Sequence, residues 1–423
     1  MQEQSNNINK LTDQLFRHES GKLISVLTKV FGTQHLQLVE DVLQETFTSA
    51  LQTWRIKGVP ENPAGWIFQS AKNKAIDILR RNRYSTLTDF SVDENPLYQS
   101  EYTLTTLMDA IWTNQVVEDD LLKMMFACCH EELIIENQIT LILKILCGFS
   151  TIEIAKAFLT SEDTISKRLY RTKEFFRLKK IKPEFPPASL LKERTDAVLK
   201  SVYLIFNEGY NSTNSDQLIR KDLLEQAIYL CRLLCNNHYT QIPEVYAAMA
   251  LMCFHAARID SRISIEGEII LLEEQDRTKW DDGLIREGNA YMNKSAFGDT
   301  ISSYHIEGAI AYEHCIAPTF DKTNWEQILT YYDLLSIIHP TAIAMLNRLI
   351  VLYKIKGSDH TLQELDNSPY LIEWKKHYLY YSLLGEIYSD TNKTLAKTHF
   401  EKAITLTKSD IEQKLLRKKI SRL

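Results

Sequence analysis

Apolar residues return at intervals of three and four along almost the whole chain, and no succession of alternating strands interrupts them. The pattern predicts an all-α protein. Val39, Val42, Leu43, Phe47, Ala50, Leu51 and Trp54 share one face of a helix, which turns Glu40, Asp41, Gln44, Glu45 and Thr48 outward. A second helix follows a short loop. Ile67, Phe68, Ala71, Ala75, Ile78 and Leu79 form its buried stripe, with Asn73, Asp77, Arg80 and Arg81 opposite. A carboxylate-faced helix joined to a cation-faced one suits a chain that grips a protein with one surface and a nucleic acid with another. Asp77 stands within one turn of Arg80 and can pair with it or with Arg81. Trp66 reads either as core or as a stacking platform.

Between Asn137 and Leu178 the order is helix, Gly148, helix, three-residue turn, helix, which is a helix-turn-helix signature. Ser150 with Glu153 makes a capping box, so the first helix begins at Thr151. Ala155 allows close approach of the two helices, and Ile154, Phe158, Ile165 and Leu169 supply their shared core. Ser161 caps the second helix, whose Glu162, Asp163, Ser166, Lys167, Arg168 and Arg171 face a major groove. Lys167 or Arg168 can donate to guanine O6 and N7, or contact phosphate, or stay in solvent. Glu162 or Asp163 can accept from a cytosine amino group, or simply favour the helix N-terminus. From Ser161 to Lys182 there are eight basic and three acidic residues, the charge balance of a DNA footprint. Leu159 and Thr160 depart from the general motif, which has Gly and an apolar residue there.

At 423 residues the chain exceeds one ordinary core, so two or three domains are expected. The net charge of -6 averages over opposed segments. From Ser85 to Leu122 lie Asp89, Asp93, Glu94, Glu101, Asp109, Glu118, Asp119 and Asp120, with no Lys or Arg. This stretch is either a solvated linker holding one helix or a segment that threads a basic channel or masks the DNA-binding faces. The cluster KPEFPP at 182–187 is a breaker. The expected domains are therefore 1–84, an acidic linker 85–125, 126–182 and a helical 183–423. In the last, Leu384, Gly385 and Tyr388 followed by Ala396, Phe400 and Ala403 match the small and aromatic positions of a tetratricopeptide (TPR) pair, and equally an ordinary helical hairpin.

Several chemistries find no support in the sequence. There is no phosphate-cradling Gly-rich loop, no HExxH and no spaced nucleophile and base, so an enzyme is not expected. Adjacent Cys128 and Cys129 before His130 cannot reproduce the spaced ligand pair of zinc sites, and no metal or other cofactor is expected. Cys231 and Cys235, one turn apart, read as buried thiols, and seven cysteines suit a reducing compartment. The apolar run Ile139 to Phe149 is broken by Lys144 and falls short of a membrane span, and the polar start MQEQSNNINK lacks the pattern of a signal peptide, so a cytoplasmic location without membrane partners is expected. Glu274, Gln275, Asp276, Arg277 and Trp280, and likewise Asn207, Glu208 and Tyr210, read as ion-paired joints between helices or as the lining of a ligand pocket.

The segments DVLQETF and WIFQSAKNKAIDILRR resemble region 2 of bacterial sigma factors of the extracytoplasmic-function (ECF) type, members of the sigma-70 family. With the acidic linker and a region 4-like helix-turn-helix, the order matches that class. FACCHEEL, IAKAFLTSEDTISKRLYRTKEFFR, ERTDAVLKSVYLIFNEGYN, LLEEQDRTKWDDGLI, TNWEQILTYYDLL and Asn347-Arg348 resemble the ECF subgroup with a TPR-like C-terminal extension. In that subgroup Leu159 is an expected residue of the turn, whereas Glu131 stands where Pro is usual.

The resemblance implies a sigma factor that directs core RNA polymerase to promoter DNA. Asp41, Gln44 and Glu45 would meet the clamp helices of the beta-prime subunit, and the region 4-like domain the beta flap. Asn73, Lys74, Arg80 and Arg81 would face the downstream promoter element, and the loop Ile56 to Asn62 would capture a flipped base. The helix at Glu162 to Arg171 would read the upstream element. The C-terminal domain would act in cis by touching region 2, region 4 or polymerase. The rival expectation is a ligand-sensing helix-turn-helix regulator with a TPR-like sensor.

Overall fold

The helical periodicity is realised in a computed structural model that describes residues 2–84, 112–158, 160–212, 219–264, 268–407 and 409–423. Among the described residues there is no strand beyond an isolated bridge between Ile263 and Ile269. The fold is all-α. The chain divides into two compact units, Met1–Ser201 and Val202–Leu423.

In the first unit, α1 (Gln2–Phe31) is followed by α2 (Leu36–Lys57), α3 (Pro63–Tyr84), α4 (Asn114–Cys128), α5 (Ile135–Leu141), a π-helical turn (Ile142–Leu146), α6 (Thr151–Ala157) and α7 (Glu162–Lys179). The second half of α1 is the axis of the unit. Leu23, Ile24, Val26, Leu27 and Val30 lie on more than one face and all are buried, because α2, α3, α4 and the π-helical turn pack around it. Gly32, at φ 85°, ends the helix where the chain reverses into α2. The apolar stripe of α2 is buried as its spacing predicts, apart from a half-buried Leu51. Thr46 joins it, its hydroxyl donating to the Val42 carbonyl at 2.7 Å. On α3, Ile67, Ala71, Ala75 and Leu79 are buried, with Ile76 covered more fully than the half-buried Ile78. Trp66 packs edge-on against buried Trp54, ring centroids 5.6 Å apart, which makes it part of the core.

Two expected boundaries move. Asp89, Asp93, Glu94, Glu101 and Asp109 lie outside the described residues, but the acidic stretch stops being a linker before position 125. From Asn114 it is α4, whose Val117, Leu121, Leu122 and Met125 are buried, and whose Asp120 is only 4% exposed against the Lys29 ammonium at 2.8 Å. The proline cluster at 182–187 breaks a helix without ending a core. Beyond it Phe185 packs on Phe126 (5.9 Å), the Arg194 guanidinium donates to the Phe126 carbonyl (2.9 Å), and the Ser201 hydroxyl donates to Gln138 (3.2 Å). The first unit therefore runs on to Ser201, inside α8 (Leu191–Tyr210).

The second unit continues with α9 (Lys221–Asn236), α10 (Pro243–Ala256), α11 (Asp282–Ser295), α12 (Ser303–Ile316), α13 (Trp325–Ile338), α14 (Ala342–Lys356), α15 (Ser358–Asp366), α16 (Leu371–Trp374), α17 (Tyr378–Tyr388), α18 (Lys393–Leu406) and α19 (Asp410–Arg422). Most pack on their sequence neighbours, the arrangement of a helical-repeat stack. Helix α10 is apolar all round: Val245, Met249, Leu251, Met252 and Phe254 are fully buried beneath α9, α11 and α12. In the α17–α18 hairpin the small-against-large pairing is literal. A side chain at Gly385 would collide with the ring of Phe400, which is 1% exposed between Ala396 and Ala403.

Candidate functional site

The acidic face of α2 is exposed at Asp41, Gln44, Glu45 and Thr48 as its periodicity requires, but Glu40, expected on the same face, is largely covered because its carboxylate meets Lys173. Asp41, Gln44 and Glu45 all reach solvent, and the Gln37 amide donates to Asp41 at 3.1 Å. The cationic face of α3 adjoins this surface, because Lys74 lies 3.4 Å from the Glu45 carboxylate. Asn73 accepts from the Gln69 amide at 2.9 Å, and Arg80 pairs with Asp77 at 3.7 Å, the intrahelical pairing expected of it. Arg80 and Arg81 are exposed.

Between these helices Ile56 and Lys57 still belong to α2, and the chain leaves it at Gly58, whose φ of 83° an L side chain rarely adopts. Ile56 is 85% exposed and Val59 41% exposed, so this loop presents bare apolar groups. Asn62 anchors its far end by accepting the Gly65 N–H at 2.9 Å. Asn62, Phe68, Lys72, Glu19 and Trp112 line a cavity of about 620 Å³. The Trp112 indole N–H has no hydrogen-bond partner among the described residues.

The second pair of helices forms as its caps predict. The Ser150 N–H donates to Glu153 at 2.8 Å, the Glu153 N–H donates back to the Ser150 hydroxyl at 3.2 Å, and Ser161 caps α7 through the Thr164 N–H at 3.1 Å. Ile154 and Ile165 are fully buried between the two helices, Leu169 nearly so and Phe158 half so; Leu159 lies outside the described residues. Glu162, Asp163, Ser166, Lys167 and Arg171 are exposed on α7, and Arg168 is half-buried. Two of the carboxylates have local work. Asp163 holds the Lys167 ammonium at 2.6 Å, and Glu162 accepts from the Thr151 hydroxyl at 3.1 Å.

Sequence reasoning did not foresee that this pair is locked onto α1 and α2. A side chain at Gly21 would collide with the Leu146 carbonyl, and one at Gly148 would come within 2.6 Å of the Ser20 hydroxyl. Arg17 pairs with Glu153 and lies over the Phe149 ring at 5.1 Å. Lys173 of α7 pairs with Glu40 of α2, and the Thr33 hydroxyl donates to the Ile181 carbonyl. A cleft of about 600 Å³ results, with Asp41 and Gln44 on one wall and Ser150 and Glu153 on the other. Burial acts to raise the Glu153 carboxyl, but the Ser150 hydrogen bonds and the Arg17 charge outweigh it and leave its pKa below the usual value. Gly21 within a helix was the available signal.

Cys128 and Cys129 are fully buried. Burial pushes the Cys129 thiol up to about 12, against the opposing effects of the Ser201 hydrogen bond and the Arg194 charge. Such thiols stay protonated and are poor ligands. His130 stacks edge-on with Phe175 at 5.3 Å. Among the described residues no cluster of three His, Cys, Asp or Glu could hold a metal, and no helix is long and apolar enough to cross a membrane.

Residues 15–84, which hold both the acidic and the basic helix, match sigma-70 region 2, so the head of the chain is a domain of the sigma-70 family. Residues 194–296 match a family of unknown function, DUF6596. An uncharacterized protein of Rhizobium meliloti (strain 1021) is 31% identical over 391 residues, which cover 92% of this chain and 91% of that protein; the chain belongs to its family. No solved structure matches.

Proposed function

We propose that the protein is an ECF-type sigma factor with a TPR-like C-terminal unit, which brings core RNA polymerase to a set of promoters and initiates transcription there. The observation that carries the reading is the exposed acidic face of α2 beside the cationic face of α3, inside the segment that matches sigma-70 region 2. Asp41, Gln44 and Glu45 dock on the beta-prime clamp helices. Asn73, Lys74, Arg80 and Arg81 meet the downstream promoter element. The loop Ile56 to Asn62 captures a flipped base, beside a cavity lined by Asn62, Phe68 and Trp112 that could receive it. The helix-turn-helix of α6 and α7 reads the upstream element through Ser166, Lys167, Arg168 and Arg171, with Glu162 and Asp163 at its start, and binds the beta flap as region 4. Contacts of Lys and Arg to phosphate make promoter binding fall steeply with salt. The protein is then a cytoplasmic factor without an enzymatic activity of its own, and its C-terminal unit regulates it in cis.

The first unit is in a closed state: Asp41 and Gln44, though exposed, line a cleft whose opposite wall belongs to the helix-turn-helix, so the Lys173–Glu40 and Arg17–Glu153 pairs narrow the space in which a clamp helix would seat. The rival, a helix-turn-helix regulator that does not replace a sigma subunit, leaves the region 2 match without a role. Multi-round transcription with purified core polymerase separates them. The full-length protein should bind core and initiate, and Asp41→Lys with Glu45→Lys should weaken core binding, whereas Arg168→Ala with Arg171→Ala should spare it and damage promoter recognition. Failure to bind core polymerase, or to initiate at any promoter, sinks the assignment.

A further inference from the structure

The second unit gathers three arginines and two histidines, and none of the guanidiniums pairs with a carboxylate among the described residues. Arg258 and Arg262 follow α10, Arg277 lies in a single turn before α11, His255 is near the end of α10 and His314 near the end of α12. They crowd one another. Arg258 and Arg277 stand over the Trp280 ring at 5.2 and 4.4 Å, and Arg262 lies over Tyr210 at 3.8 Å, whose ring centroid is 4.7 Å from that of His255. Burial, reinforced by neighbouring arginines, drives both imidazoles down to about 3, so they are neutral; burial likewise lowers Arg262 and Arg277.

The sequence left Glu274, Gln275, Asp276, Arg277 and Trp280 as an ion-paired joint or a pocket lining; Glu274 does pair with Arg422 of α19 at 3.2 Å, whereas Arg277 takes no part in an ion pair among the described residues. Arg277 donates to the carbonyls of His314 and Ala317, both at 2.7 Å, Arg262 to the Tyr210 carbonyl, and Arg258 to the Gln275 side chain at 3.4 Å. Trp280 donates to the Ser261 hydroxyl at 2.8 Å. The partners of the three guanidiniums among the described residues are these carbonyl and amide oxygens, with no carboxylate among them. Four buried nitrogens, Arg258 Nε, Arg277 Nη2, His255 Nδ1 and His314 Nδ1, have no hydrogen-bond partner among the described residues. A buried cation is tolerated when it is paired, and these are paired only by ring faces and carbonyls.

The cluster opens onto a cavity. Arg262 and His314 are part of the wall of a space of about 590 Å³, within the range of small-molecule sites. The rest of its wall includes Leu271, Phe320, Trp325, Tyr332 and Leu383, an apolar and aromatic body. Its carboxylates are already engaged: Glu273 with Lys354 at 3.7 Å, Glu386 with Lys419, and Glu412 with the Tyr378 hydroxyl at 2.6 Å. Helix α19 clasps the loop that carries the cavity's edge, through Lys418 to Glu268 at 3.4 Å and Arg422 to Glu274 at 3.2 Å.

We infer that this cavity is a receptor site for a small amphipathic anion, with its oxyanion on Arg262 beside His314 and its apolar body along Leu271, Phe320, Trp325 and Leu383. Arg258 and Arg277 stand behind the head and add positive potential there. Because α19 and the 268–274 loop both border the cavity, an occupant that shifts either one changes the clasp between them, which gives the unit a means to report the ligand. The inference concerns the second unit alone and stands or falls independently of promoter recognition.

The test is calorimetric titration of the full-length chain with octyl phosphate below its micelle concentration, with inorganic phosphate, and with octanol. Octyl phosphate should bind one per chain and raise the melting temperature. Inorganic phosphate should compete for the same site more weakly, and octanol should bind at least tenfold more weakly than octyl phosphate. Arg262→Gln should weaken octyl phosphate at least tenfold. Should that variant prove unfolded by circular dichroism, Ser382→Trp, which adds bulk to the cavity wall and leaves every arginine in the sequence, should abolish binding in a folded chain. Absence of saturable octyl phosphate binding, or binding that a folded Arg262→Gln or Ser382→Trp variant leaves unchanged, overturns the inference.

Discussion

The Lys173–Glu40 pair offers the sharpest test of the closed first unit. Both side chains are about four-fifths buried, at 23% and 19% exposure, and the second oxygen of Glu40 is buried without a hydrogen-bond partner among the described residues. Two unit charges in contact at an effective dielectric of about 20 attract by roughly 4 kcal/mol, most of which is offset by desolvation and side-chain ordering. A net coupling of about 1 to 2 kcal/mol remains, between the value of an exposed pair and that of a fully buried one. Lys173→Met removes the cation and strands the Glu40 carboxylate, so the balance between closed and open states should move by about 5- to 30-fold towards open. If closure competes with clamp docking, core polymerase should bind Lys173→Met more tightly, by up to that factor. The assay is a double-mutant cycle with Glu40→Gln, read both as core polymerase affinity by fluorescence anisotropy and as stability in urea. A coupling below about 0.3 kcal/mol, or a Lys173→Met variant that binds core no better than wild type, refutes the reasoning.

Three further outcomes follow from the same geometry. Gly21→Val should separate α1 from the π-helical turn, because a β-carbon there meets the Leu146 carbonyl; limited proteolysis should then cut between the two halves of the first unit, whereas wild type should resist cleavage there. Glu153 has a lowered folded pKa, so its contribution to stability is complete above its unfolded value and lost as pH falls through the folded one; the urea midpoint difference between wild type and Glu153→Gln should be present at neutral pH and shrink as the pH falls below the usual carboxylate range. Phe400→Ala should cost about 3 to 5 kcal/mol of second-unit stability in thermal melts, since it empties the space that Gly385, Ala396 and Ala403 leave for one ring.

Local chemistry was legible in the sequence wherever a single turn of helix decides it. The stripe of α2, the Ser150–Glu153 box, the Ser161 cap and the Asp77–Arg80 pair depend on residues at most a few turns apart, and each appears as its spacing requires. The exposure of Asp41, Glu45, Arg81 and Arg171 follows from the same periodicity. The two boundaries were not legible, because charge and proline report on chain conformation and not on burial. An acidic run can still carry Val117, Leu121 and Leu122 into a core, and a chain broken at 182–187 can still return Phe185 to Phe126.

The sequence by itself determined the helices, their caps, and which side of each must be covered, since these are properties of neighbours along the chain. Tertiary structure alone decided what does the covering. It set Lys173, 133 positions away, against Glu40, and gathered Arg258, Arg262, Arg277, His255 and His314 into one cluster whose guanidiniums meet no carboxylate among the described residues. No periodicity encodes such meetings, because charges far apart in sequence share a low-dielectric interior only after the cores around α1 and α10 have formed.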